Sequence, residues 1–145
     1  MPAIPELRSP YAQVGPLVYF GRMLDKIRLH SRSGLNDDYT PFLGKGLDLR
    51  TCNFLRISYE DLRDRTLSGG TDEEILDWAF TTGGKRSDHD CVVWNQFVIK
   101  LGWNDDRTSF LHKRLGEEGL TGRGIHTFFD WIEVDEERDP TRRGA

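Results

Sequence analysis

Apolar residues along this chain recur mostly at steps of three and four. Phe20, Met23, Leu24 and Ile27 fall on one face of a 3.6-residue period, which predicts a first helix starting near Leu17. Ser33-Gly34 ends it, the glycine supplying the left-handed residue that a helix stop favours. Upstream, residues 1–16 hold four of the six prolines (Pro2, Pro5, Pro10 and Pro16) and read as an extended N-terminal strap. A loop from Asn36 to Lys45 contains Pro41 between Tyr39 and Phe42, and a second helical piece from Leu47 to Leu55 turns Leu47, Phe54 and Leu55 inward.

Three further helix starts carry one local signal, a hydroxyl residue followed three positions later by a carboxylate: Ser58 and Asp61, Thr71 and Glu74, Ser87 and Asp90. The hydroxyl accepts a backbone N–H at the N-cap and the carboxylate reaches back to the cap. Thr71/Glu74 is the full capping box, with Ile75, Leu76, Trp78 and Ala79 behind it, and the two aspartate versions are weaker copies. Gly83-Gly84 closes that helix. The next, from about Asp88 to Leu101, is expected to bury Val92 or Val93, Phe97, and Ile99 or Leu101 before Gly102 stops it. Asn104 or Asp105 caps another that runs to Leu115. Beyond a loop carrying Gly116, Gly119, Gly122 and Gly124, a last short helix runs from Thr127 through Trp131 to about Glu136.

About six helices joined by short glycine-marked loops, without alternating strand runs, predict an all-α fold. The expectation is a compact single-domain bundle spanning 1–145, with 1–16 as the strap and 139–145 as a flexible tail. Composition supports a packed chain. Charged residues make up 30% of it, yet four tryptophans and eight phenylalanines are spread along it, and segments unable to bury apolar surface are poor in aromatics.

The net charge of −4 is uneven. Residues 1–65 carry +2 and the remainder −6, and no basic stripe offers a nucleic-acid footprint. Cys52 and Cys91 form neither a CxxC nor a disulfide framework and are expected to be reduced, buried thiols. The first residues lack the charged and apolar regions of a signal peptide, and nothing approaches the roughly 20 apolar residues of a membrane span. The expected setting is cytoplasmic.

Several pieces in order, namely Leu7-Arg-Ser-Pro, Arg22-Met-Leu-Asp-Lys-Ile-Arg28, Gly46-Leu-Asp, Phe54-Leu with Ser58-Tyr-Glu-Asp, Thr71-Asp-Glu-Glu-Ile-Leu-Asp-Trp78 and Asp130-Trp-Ile-Glu-Val-Asp-Glu-Glu-Arg138, resemble the bacterial domain-of-unknown-function family five-zero-six-nine over nearly the whole chain. The resemblance implies a small, mainly helical cytoplasmic bacterial protein and no particular activity. The family ending is Asp-Glu-Gly-Arg, whereas here Glu137 stands at the glycine. If that glycine closes the last helix, this chain closes it differently and Arg138 is placed differently.

Chemistry-bearing residues concentrate on the first helix and the turn that follows. Arg22, Asp25 and Arg28 are three apart, within side-chain reach, and form at least a surface charge ladder. A sharper reading has Asp25 and Lys26 facing Lys45, Asp48 or the Asp130–Arg138 ending across a cleft. These residues would clasp the fold or line a cleft for a small anionic or zwitterionic ligand, with Trp94 or Tyr39 as an apolar wall. The ligand reading requires convergence in a pocket of roughly 300 Å³ or more, with Lys45 turned inward. Gly44-Lys45-Gly46 offers backbone N–H groups and a charge but lacks the spacing of a nucleotide-binding loop, so a tight interhelical turn is the simpler reading.

No metal set is legible. His30 lies a turn past Ile27 and is expected at the core or its boundary, while Asp88-His89-Asp90-Cys91 are adjacent residues that a helix points in different directions. Trp94 and Trp103 are both expected to pack in the core. Asp130 and Asp135, five apart, do not share a face, and no nucleophile elbow is present. No cofactor is implied. The leading expectation is therefore a non-catalytic module that binds a partner protein or itself, with neither nucleic acid nor membrane as partner. The alternative is a ligand-binding protein or enzyme built on Asp25, Lys26, Arg28, Lys45, Asp48 and Trp94.

Overall fold

Gly15 takes a φ of +51° and Pro16 fixes its own, so the chain turns back on itself and pairs Gln13 with Val18 and Val14 with Leu17. The computed structural model describes residues 4–138. This hairpin, β1 (Gln13–Val14) and β2 (Leu17–Val18), replaces part of the expected strap and delays the first helix to α1 (Phe20–Ser31). Leu17 and Val18 are buried in the hairpin, and Asn95 holds the turn by donating to the Pro16 carbonyl and accepting from the Val18 N–H. The Gly-Pro pair was the available sequence signal.

A short 3-10 turn at Thr40–Phe42 leads to α2 (Leu47–Leu55), α3 (Tyr59–Leu67), α4 (Asp72–Gly83), α5 (Asp88–Ile99), α6 (Thr108–Glu117) and α7 (Phe128–Asp135). The fold is all-α apart from the two-residue strands. The chain ending at 139–145, expected to be a flexible tail, lies outside the described residues.

Local chemistry sets most boundaries. Ser58, Thr71, Ser87 and Thr127 each accept the N–H three residues on. The box is reciprocal at Thr71/Glu74 and equally at Ser87/Asp90, so the latter is no weaker copy. At the end of α1 the left-handed residue is Ser33, with φ +59°, and not Gly34; Ser33 and Gly34 donate to the His30 and Leu29 carbonyls. Gly83 is required for packing rather than for a turn, because a Cβ there would sit 1.8 Å from the Leu55 carbonyl oxygen.

The main core surrounds α1, which lies against α3 and β1, while α4 and α5 cover the hairpin. A second cluster joins Leu101, Leu111, Leu115, Ile125 and Phe128 under α6 and α7. Two expected core assignments fail. The buried side chains of α5 are Cys91 and Val98, and Val92, Val93 and Phe97 are exposed by 57%, 55% and 45%. Trp103 also stands out, because α5 ends at Ile99 and Gly102, with a φ of +102°, turns the chain before it.

Candidate functional site

Nine of the twelve residues of α1 are buried, among them Arg22, Asp25 and Lys26. Charges at this depth require partners, because stripping water from an isolated ion costs several kcal/mol. Each finds them on a different element. Lys26 Nζ lies 2.7 Å from Asp48 Oδ1 on α2 and donates to the Tyr19 hydroxyl at 3.1 Å, while that hydroxyl donates to the same Asp48 oxygen at 2.7 Å. Asp48 Oδ2 accepts the Gly44 N–H at 3.0 Å, so the carboxylate is enclosed by three donors. Burial pulls the Lys26 ammonium below its ordinary range, against the attraction of Asp48. Burial also drives the Tyr19 hydroxyl well above its own. Tyr19 holds a left-handed φ of 71°, uncommon for a bulky residue, and the hydrogen bonds of its hydroxyl help to hold it there.

One turn earlier, Arg22 forms a two-pronged pair with Glu136, at 2.9 and 2.5 Å, beyond the last helical residue of α7. Tyr39 donates to Glu136 at 2.8 Å and Arg138 binds its other oxygen. Burial opposes the charge on Glu136, but the donors from Arg22, Tyr39 and Arg138 outweigh it and hold the carboxyl below its usual range. Its neighbour Glu133, bonded to Arg138 at 3.3 Å, is pushed the other way by burial. Arg138 also donates to the Leu7 carbonyl at 2.5 Å. Glu137 takes φ +60°, and the Glu137 and Arg138 N–H groups bond the Val134 and Glu133 carbonyls. The last helix therefore closes on Glu137 in the left-handed geometry that a glycine would adopt freely.

Asp25 turns to the N-terminal segment. Arg8 grips it through Nε at 2.9 Å and Nη2 at 3.0 Å and reaches Asp72 at 2.8 Å; Arg28 reaches Asp72 at 2.7 Å and stands 3.9 Å from Asp25. Against burial, the two guanidinium groups hold the Asp72 carboxyl below its ordinary range.

The structure thus unites Lys26 with Asp48, and Asp25 with Arg28, in two neighbouring networks. It does not add Lys45 or Trp94 to them. Lys45 is exposed, and Trp94 is half-buried with its ring stacked on Phe54 at 4.8 Å and 8°. His30, expected at the core or its boundary, is exposed. Cavities lie elsewhere. One of 420 Å³ is lined by Glu118, Leu120, Val134, Asp135 and Glu137, and another of 240 Å³ opens between the Gly15-Pro16 turn, α4 and the start of α5. Among the described residues no group of three or more His, Cys, Asp or Glu side chains is placed to hold a metal ion, and no helix is long and apolar enough to cross a membrane. Sequence reasoning missed Arg8, Tyr19 and Asp72 as members of these networks, and it named the Asp130–Arg138 ending without singling out Glu133 or Glu136. Their partners lie far along the chain, and no local spacing links them.

A buried ionic hub joining α1 to the N-terminal segment, α2, α4 and the chain following α7 defines a small helical protein closed by its own charges. The chain belongs to the domain-of-unknown-function family DUF5069, whose model matches residues 4–138. No curated protein matches the sequence.

Proposed function

We propose that this protein is a non-catalytic interaction module, a helical domain that associates with itself or with another protein. The observation that carries the reading is the inverted placement of charge and apolar surface. The polar side chains that would have served chemistry on α1 are consumed in internal pairs, whereas Val92, Val93 and Phe97 face outward on one helix. Contiguous exposed apolar residues mark association surfaces more often than chance. A cytoplasmic setting accords with this reading and is supported by the two free, buried thiols, that of Cys52 pushed up to about 12 by burial.

Sedimentation over a concentration series, with pull-downs from a lysate of the source cells, tests the proposal. Association in either experiment is the expected result. A concentration-independent monomer that captures nothing overturns it. A small anion or zwitterion that raises the melting temperature of wild type but not of Lys45→Ala would move the reading to the ligand site.

A further inference from the structure

We infer that the exposed face of α5 is a two-fold interface on which a second copy of this chain docks antiparallel. The inference rests on the interaction-module reading and names its occupant. At 100° per residue, Asp90, Val93 and Phe97 fall within 60° of one another on α5, and Lys100 at the C-cap continues that strip, while Val92 lies 100° away from Val93. Val93 and Lys100 lie opposite Cys91 and Val98, which face the core, and Phe97 stands between the two faces. Apolar side chains therefore occupy both sides of the helix, the signature of a helix meant to be covered on both.

Register selects the partner. Let a two-fold axis cross α5 midway between Val93 and Phe97. Val93 of one copy then meets Phe97 of the other, and the same arithmetic sets Asp90 against Lys100 at both ends. The interface is self-complementary, as a two-fold requires: an apolar centre flanked by two symmetric pairs of opposite charge. Antiparallel packing also sets the positive end of each helix dipole beside the negative end of its mate. Lys100 is available for this, since among the described residues its ammonium reaches only Gln96 one turn back at 2.9 Å, on the exposed surface. Asp90 uses Oδ2 for the Ser87 N–H and keeps Oδ1 for a partner.

Sedimentation equilibrium of the full chain tests this, with circular dichroism verifying the fold of every variant. Wild type is expected to form a dimer, and Val93→Asp to raise its dissociation constant at least about tenfold. Lys100→Glu and Asp90→Lys each place like charges together at both ends and are expected to lose the dimer singly. An equimolar mixture of the two restores both opposite-charge pairs and is expected to regain it. That regain is unaffected by the capping bond Asp90→Lys removes, and it stands even if Val93→Asp fails to fold. A wild-type dimer that survives Val93→Asp or Lys100→Glu, or a mixture that stays monomeric, overturns the α5 interface and leaves the interaction-module reading intact. A wild type that is monomeric throughout but captures another protein overturns the two-fold inference alone; one that is monomeric and captures nothing overturns both.

Discussion

Helices α1 and α5 have twelve residues each, yet α1 buries nine of them, three charged, while α5 buries two and leaves three large apolar side chains in solvent. The contrast separates two rules that usually coincide. Polarity decides burial only where nothing compensates it. The α1 charges are inside because Glu136, Arg8 and Asp48 arrive from three other elements to meet them. The α5 hydrophobics are outside because elements pack against only one of its sides.

If burial with partners is what distinguishes α1, removing one partner should be severe. Lys26→Met leaves Asp48 charged and enclosed, and it is expected to lower the unfolding free energy by about 3–5 kcal/mol in urea titration. Lys26→Met with Asp48→Leu should recover most of the loss, since two apolar groups replace the pair together. Failure of the double variant to recover would mean that the pair contributes more than mutual neutralisation.

Removing the Tyr19 hydroxyl is a milder cut in the same network. Tyr19→Phe takes one donor from Asp48 and one acceptor from Lys26, and about 1–3 kcal/mol should be lost in the same titration.

Acid sharpens the comparison next. Glu136 has its carboxyl held below the ordinary 4.5, so the stabilisation it gives is complete above that value and fades as pH falls through the folded-state value. Melting temperature should therefore fall as pH drops below about 4.5, and Glu136→Gln should flatten that limb while lowering the plateau. Glu133, raised by burial, has the opposite sign, and Glu133→Gln should be neutral or stabilising at pH 7. By contrast, Val93→Ser on α5 should change monomer stability by no more than about 0.5 kcal/mol, the ordinary range for surface sites. A gain is expected where the last helix closes. Glu137→Gly removes the cost of a left-handed non-glycine residue and should add about 1 kcal/mol, read as a higher melting temperature.

How far these features could be seen beforehand follows from distance along the chain. The Thr71 box, the span of α2 and the Ser87 cap were legible because each depends on partners three or four residues away. The Lys26–Asp48 pair was within reach as one of several alternatives, being helix and following turn. Arg22 with Glu136 was not, since no local pattern links residues 114 apart. The failures at Val92, Val93 and His30 have another origin: the periodicity identifies a helix but not how many of its sides are covered. Ser33 shows a third limit, since a serine can take the left-handed position when the following glycine does not.

The pairing of Arg22 with Glu136 also bears on how the chain is made. A ribosome elongating at about 5–20 residues per second delivers Glu136 roughly 6–23 seconds after Arg22, because 114 positions separate them. Throughout that interval the first helix carries a guanidinium without its two-pronged carboxylate partner, and the Leu7 carbonyl lacks Arg138 over a separation of 131. The nascent chain therefore cannot close its interior in order of synthesis. Completion is tied to arrival of the last helix, and a chain interrupted before Phe128 would expose Arg22 and the apolar surface around it to cellular proteases.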